Sequence, residues 1–92
     1  MRDDLLFAAL AHATRREILM VLHFRGGAMT AGQIAERFSC RWPTVTRHLG
    51  VLEDAGLVRV RKRGRARIYR LHSAGVKSLL QEWLEILKAR PP

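Results

Sequence analysis

The stretch LVRVRKRGRARIYRL, from Leu57 to Leu71, alternates apolar and basic residues on both sides of a single glycine. A two-residue period cannot build one helix face, but it sorts side chains cleanly onto the two faces of a strand. The pattern predicts a β-hairpin over 58–71 that turns at Gly64. Val58 and Val60 would face inward and Arg59, Arg61 and Arg63 outward, while Ile68 and Leu71 anchor the return strand and Tyr69 packs across the pair. The flanking segments carry helical spacings instead, so the hairpin must be a small β element attached to a helical body.

Those spacings predict about five helices. Leu5, Leu6, Ala9 and Leu10 suggest a short first helix ending around His12. Thr14 followed by Glu17 reads as a capping box ahead of Ile18, Val21 and Leu22, giving a second helix to about Phe24. Arg25 to Gly27 break it, and Thr30 with Gln33 repeats the capping logic before Ile34, Ala35 and Phe38, a third helix of barely two turns. After a tight connection at 39–41, Pro43 fits the first turn of a fourth helix, Trp42 to Ala55, which Gly56 closes. Ser73 can cap a last helix, and Pro91 and Pro92 mark where helical structure has stopped. With 92 residues of which 48% are apolar, one core is what the chain can build, so residues 1–92 are read as a single domain.

On the fourth helix, Val45, Leu49 and Leu52 share one side, with Pro43, Arg47, Gly50 and Asp54 opposite. Two short helices joined by a tight turn, the second offering small polar residues and an arginine from its N-terminal half, fit a DNA major groove; the bland alternative is a helical hairpin with a solvated face. The hairpin that follows reads as a wing. Between Ala55 and Gln81 there is no acidic residue, and the whole chain carries a net charge of +9. The wing cations Arg61, Lys62, Arg63, Arg65 and Arg67 must therefore meet water or phosphate, which points to contacts with the DNA backbone or minor groove. The fold expected is mainly α with a small β-hairpin: a winged helix-turn-helix whose partner is double-stranded DNA.

LAHATRREIL (10–19), PTVTRHLGVLEDAGLV (43–58) and GRARIYRL (64–71) resemble the ArsR/SmtB-type winged-helix transcriptional repressors of bacteria and archaea, over nearly the whole chain. The resemblance implies a homodimer on a palindromic operator, with a recognition helix in each major groove. It places Thr44, Thr46, Arg47 and His48 at base- and phosphate-contacting positions, and Arg41 and Trp42 at the start of the same helix complete that set. His48 falls at the border of the buried side. Arg41 stands at the N-cap, where it cannot accept amide hydrogens, so either the cap lies elsewhere or the arginine meets a phosphate.

The chain departs from metal-sensing members of that family. Thr30, Ala31 and Gly32 occupy the region of their paired cysteines, and the last helix has no histidine, only Glu82 and Glu85 as carboxylates. His12, His23, His48 and His72 show no helical i, i+4 pair, so no metal and no cofactor is expected. Cys40, the single cysteine, reads as a small apolar plug, or as the one available redox switch. An inducer, small-molecule or redox, is left unidentified.

On the last helix Val76, Leu79, Leu80, Trp83, Leu84 and Leu87 form a stripe broader than one small core can cover. With Leu6, Phe7 and Leu10 of the first helix it is the expected dimer interface. No apolar run reaches the roughly 20 residues of a membrane span, and the start lacks a secretory leader, so a cytoplasmic protein without membrane contact is expected. An enzyme is not expected: no nucleophile elbow, phosphate-cradling loop or carboxylate couple is present, and Ser39 and Ser73 lack an activating base. The competing reading is a nonspecific, architectural DNA binder.

Overall fold

A computed structural model describes residues 2–38 and 41–88 of the chain. Its elements run α1 (Arg2–Leu10), α2 (Ala13–Phe24), β1 (Ala28–Thr30), α3 (Ala31–Ala35), α4 (Trp42–Asp54), β2 (Val58–Arg63), β3 (Ala66–Leu71) and α5 (Ala74–Lys88). Ile18 and Leu22 of α2, Ile34 of α3, Val45, Leu49 and Leu52 of α4, and Leu57, Val58 and Tyr69 from the sheet side close one core. The expected five helices and hairpin wing are present.

Helix ends show why the elements stop where they do. At the C-terminus of α4, Gly56 takes φ 76°, a conformation that strains any residue with a Cβ. The Gly56 N–H then bonds the Glu53 carbonyl and the Leu57 N–H the Leu52 carbonyl, both at 2.9 Å. This Schellman pattern satisfies two orphan carbonyls and delivers Leu57 into the core beside Leu52. The same turn leads the chain directly into β2, so only three residues, 55–57, separate the recognition helix from the wing. At α3 the capping box forms as read, with Thr30 Oγ1 accepting from Gln33 N (3.1 Å) and Gln33 Oε1 accepting from Thr30 N (2.9 Å).

The capping box expected at Thr14 and Glu17 does not form. His12 is the N-cap of α2, with extended backbone and its Nδ1 accepting from Thr14 N at 3.2 Å, so Thr14 lies inside the helix and α1 ends earlier, at Leu10. The sheet has three strands in the order β1-β3-β2, all antiparallel, rather than a lone hairpin. Three-residue β1 was illegible as alternation. It forms because Met29, set opposite Tyr69, can be buried under the sheet while its neighbours pair with the free edge of β3. The hairpin turns through Gly64 and Arg65 between the paired Arg63 and Ala66, and Gly64 (φ 62°) supplies the positive φ needed at the first position of so tight a turn. The readings of Cys40 and of Pro91 and Pro92 lie outside the described residues.

Candidate nucleic-acid interface

Helix α4 packs through Val45, Leu49 and Leu52, which leaves Trp42, Pro43, Thr46 and Arg47 exposed and Thr44 and His48 half-buried. Arg41 is the N-cap and makes no side-chain capping bond. The helix tolerates this because Pro43 has no N–H to serve, and the Thr44 N–H bonds the Arg41 carbonyl at 3.0 Å. Among the described residues the Arg41 guanidinium has no hydrogen-bond or ion-pair partner, and the residue is exposed. Thr46 Oγ1 donates to the Trp42 carbonyl at 3.0 Å, which commits its proton and leaves a lone-pair acceptor and a methyl to present outward.

Trp42 is 56% exposed and lies against α3, where a Cβ on Gly32 would come within 3.2 Å of its Cη2. Glycine at that position lets the indole settle against α3. Trp42 and Thr46 line an open cavity of about 470 Å³ together with Arg65, Ala66 and Arg67 of the wing and with Gly32 and Tyr69. Recognition helix and wing therefore line one open cavity, to which the wing contributes two cations, Arg65 and Arg67.

Strand register divides the wing cations between two faces. Lys62 and Arg67 are directly paired and share a face with Val58, Val60, Tyr69 and Leu71, the side that packs on the helices. Arg61 and Arg63 lie on the opposite, outer face together with Arg59, Arg70 and Ile68. The expected set of five is thus not a single patch. Arg70 was missed because it ends the basic run beyond Tyr69, where only knowledge of the register reveals its face.

The structure also joins residues that the sequence showed as scattered. The His12 and His48 rings are 4.5 Å apart, and His48 Nδ1 is 3.3 Å from Arg15 Nη1. The same guanidinium donates to the Ala9 carbonyl (2.9 Å) and the Ala8 carbonyl (3.0 Å) at the end of α1. Arg15 thereby ties the first helix to the recognition helix, and His48 is the middle of that joint. Burial first, and then the nearby His12, Arg15 and Arg47, lower the His48 pKa below its ordinary value. Among the described residues no group of three His, Cys, Asp or Glu stands close enough to hold a metal ion. No described helix is long and apolar enough to cross a membrane.

Of the expected interface residues, Leu6 and Leu79 are buried in the protomer's own core and unavailable to a second chain, because α1 and the start of α5 cover the same end of the core. Leu10 is half-buried against that core. Phe7, Leu80, Trp83, Leu84 and Leu87 are exposed, as are Leu5 and Ile86, which the stripe reading had left out. Phe7 and Trp83 meet edge to face with centroids 6.2 Å apart, which fuses the two helices into one apolar surface.

Comparison with known proteins agrees with this geometry. The family described as helix-turn-helix domain matches residues 10–61. The transcriptional repressor SdpR of Bacillus subtilis is 33% identical over 81 residues, 88% of this chain and 88% of that protein. An ArsR-like transcriptional regulator from Rhodococcus sp. RHA1 superposes with a TM-score of 0.81 at 31% identity, covering 92% of this chain and 76% of the other. The transcriptional repressor BigR from Xylella fastidiosa superposes at 0.68 with 26% identity, covering 95% and 87%.

Proposed function

The chain belongs to the ArsR family of helix-turn-helix transcriptional regulators, which bind DNA sequence-specifically, and from that premise we propose that it is a homodimeric repressor of a palindromic operator. The observation that carries this reading is the shared cavity, lined by Trp42 and Thr46 of the recognition helix and by Arg65 and Arg67 of the wing. An arrangement of that kind allows α4 to enter a major groove while the wing cations engage the adjacent backbone.

Roles follow from the chemistry of each side chain. Arg47, exposed and without a partner among the described hydrogen bonds and ion pairs, is suited to a bidentate contact with a guanine edge. Thr46 offers an acceptor and a methyl. Arg41, Lys62, Arg65 and Arg67 supply phosphate contacts. His48, engaged with Arg15, is assigned to holding the helix rather than reading bases. The exposed face of α1 and α5 covers its counterpart in a second copy, and two-fold symmetry then sets the recognition helices roughly 34 Å apart, one turn of DNA. A dimer straddling about two turns of promoter represses by excluding polymerase; two of the relatives above are themselves named repressors.

Two variants separate readout from attraction. Arg47→Ala should cost about 1 to 3 kcal/mol on the operator and little on random duplex, whereas Arg67→Ala should weaken both and flatten the salt dependence by about one contact. Fluorescence anisotropy on both duplexes across a salt series measures this. Equal losses on operator and random DNA for both variants would refute specific readout through α4.

A further inference from the structure

The proposed DNA site uses the inner side of the wing, yet the wing's outer side is the more densely charged. Register sets Arg59 directly opposite Arg70, with Arg61 diagonal to Arg70 and Arg63 toward the tip, and the only large apolar residue among them is Ile68. Arg61, Arg63, Ile68 and Arg70 enclose an open concavity of about 390 Å³. Like charges directly across a ladder destabilise a sheet, so this arrangement works against the fold. Among the described residues no ion pair neutralises it, the one present being Lys88–Glu85, on α5. Arg59 lies 3.3 Å from His72 Nε2 and shares the adjacent cleft with Glu53 without forming an ion pair.

We propose that the outer face of the wing, Arg59, Arg61, Arg63 and Arg70, is a second DNA-backbone site that takes the duplex flanking the operator, bending it around the wing. The inference rests on the reading of α4 and the inner wing face as the operator-binding surface. Charge complementarity selects a polyanion, and tethering selects the flank. Duplex already held by the recognition helix is present at high effective concentration, whereas a separate duplex must be recruited from solution. Bending duplex costs elastic energy, which a few added phosphate contacts can offset at low salt.

The test compares the full chain on two duplexes containing its selected site, one ending where the wing reaches and one extended by about one helical turn on each side. Affinity is read across a salt series, and the bend by energy transfer between dyes at the duplex ends. Extension should tighten binding about tenfold at low salt, steepen the salt slope by roughly 2 to 4 units per wing and shorten the end-to-end distance. The double variant Arg59→Gln/Arg70→Gln should lose these gains and keep its affinity for the short duplex. Its melting temperature should hold or rise, because a like-charged pair has gone. Identical affinity, slope and bend on the two duplexes would overturn the proposal, as would equal losses by the variant on both. Capture of a second, separate duplex without any effect of flank length would overturn it in favour of bridging. Failure of the wild type to prefer its site on the short duplex would instead remove the reading beneath it.

Discussion

A single guanidinium, that of Arg15, shows how this fold transmits position to its DNA-facing helix. It closes the end of α1 through the Ala8 and Ala9 carbonyls and reaches His48 on α4, one residue from Arg47. The joint is sensitive to protons. The folded-state pKa of His48 lies below the ordinary 6.5, so as pH falls through 6.5 the unfolded chain takes up the proton before the folded one does. Stability attributable to His48 is therefore unaffected above that value, declines below it, and is fully lost once the folded-state pKa is passed. His48→Gln removes this increment. Thermal melts of wild type and variant should run parallel above about pH 7 and diverge on the acid side, with the wild type losing more; parallel curves throughout would show that the joint does not titrate.

Elements differ in how plainly the sequence announces them, and the difference has physical causes. Helix α4 was legible because Val45, Leu49 and Leu52 mark one face and Pro43 and Gly56 mark its ends. The hairpin was legible because alternation and Gly64 agree. Local chemistry also located the Thr30–Gln33 cap, and Thr30→Ala should cost about 1 kcal/mol in denaturant unfolding with an unchanged m-value; a neutral result would mean that α3 is held by packing of Ile34 alone. Strand β1 was not legible, since three residues carry no period and its pairing with β3 is a tertiary event. The start of α2 at His12 rather than Thr14 likewise coincides with a tertiary contact that the sequence does not show, the His48 ring lying tilted against the His12 ring. For the candidate site, identity was readable and grouping only in part. Alternation alone turns Arg59, Arg61 and Arg63 outward, but the register is what adds Arg70 to that face and sets Lys62 with Arg67 on the side that faces the helices.

At the scale of the whole molecule, the protomer leaves work for a partner. Beyond Leu79 every described residue of α5 is exposed, including Trp83 at 44% and Leu87 at 68%. The radius of gyration is 14.8 Å, against about 12 Å for a compact domain of this length. Covering such side chains is worth about 1.5 to 3 kcal/mol each when complete, which a second copy of the same face can supply. Trp83→Arg should therefore give a monomer in sedimentation at micromolar concentration and weaken operator binding by a factor of about 100 or more through lost bivalency; a variant that remains dimeric would place the interface elsewhere. The central claim, specific readout by a two-fold dimer, is tested most directly by selecting bound sites from random duplex DNA with the purified chain and titrating the winner against scrambled DNA. A palindrome with half-sites one helical turn apart, bound at least about a thousandfold more tightly than scrambled duplex, is the predicted result. No enriched motif, with steep salt dependence on every duplex, would contradict it and leave the charge of the wing as the sole source of binding.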